Sequence, residues 1–240
     1  MKKRLKFLVV FGLIIAILSS LAYIFFRYIP EQRRIAEHMQ MIQDYYDEKV
    51  AHFAEENKNI IPGETDVVFL GDSLTDGCDL SLYYPEYTTL NRGIGGDTTI
   101  GLEKRLDVSV YAVHPKVVVM LIGANNFSTM FDNYENILIS LKENLPDSKI
   151  ILVSLTSMGG DWGRNNNLAA FNNVKIKALA EKYGYEFVDV YTPLLNLETN
   201  EIYGEYTTDG GHLTHEGYLV LTGEIKSVIN KVMTGNELEK

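Results

Sequence analysis

The sequence comprises 240 residues, 46% apolar and 22% charged, so it has room for one sizeable globular core and lacks the composition of a disordered or fibrous protein. Its formal net charge of −10, with basic residues clustered only at the N-terminus, argues against a nucleic-acid partner, because binding phosphates requires a basic face. The single cysteine, Cys78, excludes an intramolecular disulfide, and no Cys and His spacing matches a structural zinc site.

The N-terminal segment predicts a transmembrane anchor. Residues 7–26 are uncharged and predominantly apolar, and their number matches the ~20 residues that a helix needs to cross a bilayer. Residues 1–6 carry four cations, so we expect them to form a cytoplasmic tail and the rest of the chain to lie outside. A cleaved signal peptide ending near Ala22, which would release a secreted protein, is the alternative. Because the apolar run continues to Phe26, an uncleaved anchor is favoured, and both interpretations predict an extracytoplasmic domain.

Residues 27–60 predict an amphipathic helix. Apolar residues recur there at steps of three and four among charged neighbours. They are Ile35, Met39, Ile42, Tyr46, Val50 and Phe53. We expect the first half of this helix to be a stalk and the second half to pack on the domain that follows. Pro62 and Gly63 stop the helix, so we expect residues 61–234 to form the globular domain and residues 235–240 a short tail.

Beyond residue 66, short apolar and β-branched runs alternate with helical patterns. The predicted strands are residues 67–70, 88–90, 117–122, 150–155 and 187–190, and the predicted helices are residues 98–112, 132–144, 166–183 and 215–232. The third and fourth runs are apolar throughout, as expected of strands covered on both faces. The alternation predicts a doubly wound α/β fold with about five mainly parallel strands. In such sheets, ligands bind at the carboxyl ends of the strands.

A candidate nucleophile follows the first predicted strand. Ser73 lies in a turn of small and polar residues (71–77), where its hydroxyl would be exposed and nearby N–H groups would point to the same spot. The turn does not match the G-x-S-x-G elbow of the α/β-hydrolases. A simple turn or a helix cap is the alternative interpretation.

Two further blocks follow the second and third strands. Gly95 and Gly96 lead into a helix that Asp97 or Thr98 caps, and free N–H groups there would suit a developing oxyanion. Asn125 offers a side-chain amide at the neighbouring strand end. Each block alone is typical of a turn, whereas donors converging from adjacent strands would form an oxyanion hole. A dinucleotide site is disfavoured because the glycine spacing is not G-x-G-x-x-G.

A candidate base lies near the C-terminus. Asp209 precedes His212 by three residues across two glycines, so its carboxylate can fold back, hold the imidazole N–H and stabilise the cation formed during proton transfer. A surface hydrogen bond is the alternative, and His215 is a rival base. A metal site formed by His212 and His215 is disfavoured, because no third ligand and no H-E-x-x-H helix are evident.

With these blocks, residues 64–230 resemble the SGNH branch of the GDSL esterase/lipase family, which has a flavodoxin-like fold. The resemblance implies that Ser73 is the nucleophile and that Asp209 and His212 complete a catalytic triad. It also implies that Gly96 and Asn125 donate hydrogen bonds to the oxyanion beside the Ser73 amide, with Gly95 as a near alternative to Gly96.

The glycine block and the Asn125 block are similar to one subgroup in particular. It includes the catalytic subunits of platelet-activating-factor acetylhydrolase and bacterial lysophospholipase-like and acetylesterase-like proteins. Where the commonest family pattern has Asp after the oxyanion Asn, this chain has Asn126, as that subgroup does. The resemblance to this subgroup implies short acyl substrates.

The expected function is therefore that of a serine esterase, without a metal or organic cofactor, acting on small-molecule, lipid or acylated-glycan esters. An acyltransferase with the same triad and a lysophospholipase or lipase for longer chains are alternatives, and an inactive binding module is a weaker one. Acyl-pocket residues are expected in the loop 157–167. Asp72, Gly95 and Trp162 are candidate substrate-binding residues.

Overall fold

A computed structural model of the protein describes residues 2–235, without the side chain of Arg164. Met1, in the predicted cytoplasmic tail, and residues 236–240, in the predicted C-terminal tail, lie outside the described residues. The contacts between residues divide the chain into two units, Met1–Tyr45 and Tyr46–Lys240.

The first unit is helical. Helix α1 (Lys2–Tyr23) continues through a wider turn (Ile24–Tyr28) into helix α2 (Ile29–Asn57). No residue of α1 is buried. By length and composition, this helical segment can cross a membrane, because it contains an apolar stretch of sufficient length near the N-terminus.

The second unit is built on a five-stranded parallel sheet. Its strands are β1 (Val67–Gly71), β2 (Thr89–Gly93), β3 (Val117–Leu121), β4 (Lys149–Val153) and β5 (Glu186–Val188). They lie in the order β2-β1-β3-β4-β5, and every neighbouring pair is parallel. The order changes direction at β1, so the loops after β1, β2 and β3 meet at one edge. The predicted doubly wound α/β fold is confirmed.

Helices cover both faces of the sheet. They are α3 (Ser73–Asp76), α4 (Leu80–Tyr83), α5 (Thr99–Lys104), α6 (Tyr134–Asn144), α7 (Asn166–Tyr183), α8 (Tyr191–Leu194) and α9 (His215–Thr234). Successive residues of β1, β3 and β4 enter different cores. In β1, Val68 and Leu70 pack with residues of α6 and α7, whereas Val67 and Phe69 pack with residues of α9. Two apolar cores explain why the sequences of these three strands do not alternate between apolar and polar residues.

Two segments differ from the sequence-based expectations. The helix predicted at residues 98–112 is two pieces, α5 and a wider helical turn (Asp107–Tyr111), separated at Arg105, whose side chain turns into the core. A small antiparallel hairpin, β6 (Leu195–Asn196) with β7 (Glu201–Ile202), was not predicted. Strands of two residues are too short to carry a periodic pattern.

The last three turns of α2 belong to the second unit. Phe53 is 1% exposed, and the Tyr46 hydroxyl donates a hydrogen bond to the carbonyl of Gly101 at 2.8 Å. The compact unit that contains the sheet begins at Tyr46.

Candidate active site

The four sequence blocks meet at the carboxyl edge of the sheet. Ser73 follows β1, the Gly95–Gly96 pair follows β2, and Asn125 follows β3. Asp209 and His212 come from the loop that precedes α9. This edge is where ligands bind in doubly wound sheets.

Ser73, His212 and Asp209 form a continuous chain of hydrogen bonds. The Nε2 atom of His212 lies 3.1 Å from the Oγ atom of Ser73, and its Nδ1 atom lies 2.7 Å from the Oδ2 atom of Asp209. Both distances are within the range expected between a nucleophile, its base and the group that orients the base. The predicted triad residues are therefore brought together with the required geometry.

The Asp209 carboxylate is held by its own loop. Its Oδ1 atom accepts hydrogen bonds from the backbone N–H groups of His212, at 2.7 Å, and Gly211, at 2.9 Å. Partial burial alone would raise the pKa of Asp209, but these hydrogen bonds and the His212 ring lower it to about 2. The Asp209 carboxyl group is therefore ionised at neutral pH.

His215, the rival base, lies elsewhere. Its Nδ1 atom is hydrogen bonded to the hydroxyl of Tyr83 at 2.8 Å, and the two rings are stacked. Among residues 2–235, no group of three or more His, Cys, Asp and Glu side chains is arranged to hold a metal ion.

The two candidate glycine donors differ in their hydrogen bonding. The Gly95 N–H donates to the Oδ2 atom of Asp76 at 2.9 Å, so it is committed within the protein. The Gly96 N–H has no acceptor among the described residues, and Gly96 is exposed with a φ of +79°. Of the two glycines, Gly96 therefore has the amide available to a ligand.

The Asn125 side chain is anchored by one of its two N–H bonds. Its Nδ2 atom donates to the carbonyl of Asp97 at 2.9 Å, which leaves the second N–H for a ligand. The next residue, Asn126, accepts from the N–H of Thr99 and donates to the Thr99 hydroxyl. The Asn126 side chain therefore ties the β3 loop to the start of α5.

A buried ion pair supports the loops around the site. The Arg105 guanidinium is 1% exposed and donates to the Oδ2 atom of Asp97 at 2.8 Å. It also donates to the carbonyls of Gly71, at 3.0 Å, and Arg92, at 2.8 Å. One side chain thus joins the ends of β1 and β2 to the residue that anchors Asn125. Sequence reasoning missed Arg105, because nothing local distinguishes it from a solvated cation.

Asp72, which immediately precedes Ser73, is buried. It is 2% exposed, and its Oδ1 atom accepts a hydrogen bond from the N–H of Leu74 at 3.2 Å. Burial, with a smaller contribution from the nearby Asp97 charge, raises the pKa of Asp72 to about 7. The Asp72 carboxyl therefore binds its proton far more strongly than an exposed aspartate does.

A narrow cavity opens beside the Ser73 hydroxyl. Its walls include Thr156, Met158 and Trp162. The space in which a water-sized group can be centred is about 20 Å³, little more than the ~10–15 Å³ that one water molecule requires. Trp162 closes one side. Its ring centroid lies 6.1 Å from that of the His212 ring, and the two rings are arranged edge to face. Gly95, the other candidate substrate-binding residue, does not line this cavity among the described residues.

Comparisons with known proteins agree with this architecture. The sequence model of the GDSL-like lipase/acylhydrolase family matches residues 69–220. A GDSL-like lipase from Bacteroides thetaiotaomicron is similar in structure, with a TM-score of 0.68 and 27% identity over 76% of this chain and 97% of that chain. No curated protein sequence gives a significant match.

Two structures with lower sequence identity to this chain share the fold. A Streptococcus pneumonia protein named for platelet activating factor has a TM-score of 0.69 and 23% identity, over 82% of this chain and 99% of that chain. An acetylxylan esterase from Geobacillus stearothermophilus, solved as a catalytic mutant, has a TM-score of 0.58 and 21% identity, over 70% of this chain and 95% of that chain.

Proposed function

Because the chain belongs to the GDSL-like lipase/acylhydrolase family, a family of ester hydrolases, we propose that it is a serine esterase for short-acyl, principally acetyl, esters. The observation that carries the proposal is the pair of contacts made by His212, 3.1 Å to the Ser73 hydroxyl and 2.7 Å to the Asp209 carboxylate. Together they orient a neutral imidazole with Nδ1–H toward Asp209 and Nε2 toward the serine proton.

In the first half of the reaction, the Oγ atom of Ser73 attacks the ester carbonyl while its proton passes to Nε2 of His212. The carbonyl electron pair moves onto the oxygen, which the N–H groups of Ser73 and Gly96 and the free N–H of Asn125 stabilise. When the tetrahedral intermediate collapses, the ester C–O bond breaks. The departing alkoxide takes the proton from His212 and leaves as the alcohol.

The second half repeats these steps with water. His212 takes a proton from the water as it attacks the acyl-enzyme, and the Ser73–acyl bond breaks when the proton is returned to Oγ. Asp209, ionised throughout, stabilises the imidazolium that forms in each half.

The preference for a short acyl group is supported by the size of the cavity beside Ser73. The space in which a water-sized group can be centred there is about 20 Å³, which suits the methyl group of an acetyl ester.

The proposed location is the extracytoplasmic face of a membrane, with residues 1–6 in the cytoplasm. Two features support it: the length and apolar character of the N-terminal helical segment and the four cations that precede its apolar part.

The test is a series of initial rates with p-nitrophenyl esters from acetate to decanoate. The enzyme is a soluble fragment comprising residues 31–240, and Ser73→Ala is the control. We expect the highest rate on acetate, a steep decline with chain length and no activity above background in the control. Asn125→Ala should lower kcat by about 10²-fold or more while KM changes little.

Other outcomes would change the assignment. An optimum at long chains would indicate a lipase or lysophospholipase. Acetyl transfer to an added alcohol faster than hydrolysis would indicate an acyltransferase. A folded wild type as inactive as Ser73→Ala on every ester, and unreactive with a fluorophosphonate, would refute an esterase function.

A further inference from the structure

A single carboxylate joins three segments around the site. Asp76 ends α3, the short helix that begins with Ser73, and its Oδ2 atom accepts the Gly95 N–H at 2.9 Å. Its Oδ1 atom accepts a hydrogen bond from the Nζ atom of Lys49, on α2, at 2.8 Å. Lys49 is therefore linked through Asp76 to the residue that immediately precedes the free amide of Gly96.

The ion pair is shielded from solvent. The side chains of Lys49 and Asp76 are 23% and 15% exposed, so solvent screens their attraction less than it screens that of exposed surface pairs. Below them, Phe53 of α2 is buried, and its ring contacts the Arg92 guanidinium, with 4.6 Å between the carbon of that group and the ring centroid. Phe53 thereby anchors the end of α2 in the core, and the Nζ atom of Lys49 lies 5.5 Å from the centroid of its ring.

Without its counter-charge, Asp76 would act against catalysis. Its carboxylate binds Gly95, the residue before the proposed Gly96 donor, and without the Lys49 ammonium beside it this negative charge opposes more strongly the negative charge that develops on the ester oxygen. Loss of the Lys49 hydrogen bond would also let the carboxylate shift away from the Gly95 N–H. Both effects would misplace or weaken the oxyanion donors without removing any of them.

We propose that Lys49 is a positioning residue for the oxyanion donors: it orients and neutralises Asp76, which holds Gly95 so that the Gly96 amide faces the reacting carbonyl oxygen. The inference rests on the proposed esterase function. It means that a residue of α2, a helix outside the four sequence blocks, influences the turnover rate through Asp76.

The test uses the full-length protein in detergent and p-nitrophenyl acetate as substrate. Lys49→Met should lower kcat by about tenfold, less than the 10²–10³-fold of a lost donor, with KM changed less than about twofold. Lys49→Arg should recover most of the rate. Lys58→Met is the matched control, because Lys58 lies just beyond α2 and pairs only with the exposed Glu55 among the described residues. It should leave kcat unchanged.

Two further measurements separate positioning from a merely structural role. Inhibition by phenylboronic acid, whose serine adduct is an anionic tetrahedral boronate with a hydroxyl in the place of the oxyanion, should weaken in Lys49→Met by about the factor seen in kcat. Adding Asp76→Asn, which keeps an acceptor for the Gly95 N–H but removes the charge, should make the double variant faster than Lys49→Met alone. If Lys49→Met does not fold, the double variant is compared with Asp76→Asn instead. These two should have equal rates, because neither protein has a carboxylate charge at position 76 to be neutralised.

An unchanged kcat in Lys49→Met, or a double variant slower than Lys49→Met, would overturn the inference. So would a Lys49→Arg enzyme as slow as Lys49→Met. Failure of the esterase proposal is recognised separately, because wild type would then be no faster than Ser73→Ala. In that case, the role assigned to Lys49 falls with it.

Discussion

The N–H of Gly159 donates a hydrogen bond to the carbonyl of Gly210 at 2.9 Å, so the loop that carries Trp162 is joined to the loop that carries Asp209 and His212. Trp162, which lines the cavity beside Ser73, and the proposed base are therefore positioned together. Gly210 has a φ of +91°, and a Cβ atom added there would lie 2.0 Å from the carbonyl oxygen of Gly159. Position 210 therefore requires glycine, both for the positive φ angle and for the close approach of the Gly159 backbone. We refer to this contact between Gly159 and Gly210 as the joint.

Gly210→Ala should therefore lower esterase activity by about 10²-fold or more, because displacing a base by about 1 Å costs that much. The measurement is kcat/KM for p-nitrophenyl acetate. Gly204→Ala is the control, since a Cβ atom at Gly204 meets nothing within 4 Å. Equal activity of the two variants would show that the joint does not position the base.

Trp162→Ala should change the acyl-chain preference. Removing the indole enlarges the cavity beside Ser73, so rates on octanoate relative to acetate should rise by at least about tenfold. The comparison is the ester series already described for the wild type. Phe171→Ala, which truncates an aromatic ring that is 58% exposed on α7, should leave the preference unaltered. An unchanged ratio in Trp162→Ala would mean that the indole does not limit acyl length.

Asp72→Asn should increase stability at alkaline pH. The folded state raises the pKa of Asp72 from 3.8 to about 7, so the stability from its bound proton is complete below pH 3.8 and is lost as pH rises through about 7. Asn cannot ionise and keeps an acceptor for the Leu74 N–H. The free energy of unfolding of Asp72→Asn should therefore rise relative to that of wild type as pH increases. The total rise should be a few kcal/mol, because each unit of pKa difference between the folded and unfolded states corresponds to about 1.4 kcal/mol.

Urea unfolding of both proteins at about pH 5 and about pH 8.5 measures this linkage. A difference between Asp72→Asn and wild type that is the same at the two pH values would contradict it.

Phe53→Ala should destabilise the second unit by about 3–5 kcal/mol, the usual cost of deleting a buried aromatic ring. The ring is 1% exposed and contacts the Arg92 guanidinium, which would lose its apolar cover. Urea unfolding of the 31–240 fragment gives the change, and the exposed Phe171→Ala should stay within about 0.5 kcal/mol of wild type. A loss as small as that of the control would mean that α2 is not part of the folded unit.

Periodicity and local motifs were sufficient for the sheet and for the order of the site blocks. Five apolar or β-branched runs that alternate with helical patterns indicate a doubly wound sheet, and the third and fourth runs lack alternation because those strands are covered on both faces. The spacing from Asp209 to His212 indicates their contact, since three residues with two glycines let the carboxylate fold back. These features depend on residues that are close together in the chain, so they can be predicted from the sequence.

Other features depend on contacts between residues far apart in the chain. The choice between Gly95 and Gly96 is made by Asp76, 19 residues away, which takes up the Gly95 amide. Lys49 and Arg105 look like ordinary surface cations in the sequence, yet folding places Lys49 against Asp76 and Arg105 against the buried Asp97. The sequence by itself thus determined the fold class, the candidate nucleophile and its base. Only the tertiary structure decided which amides are free and which charges are buried, because a hydrogen bond or a desolvated ion pair depends on which distant segments the fold brings within about 3 Å.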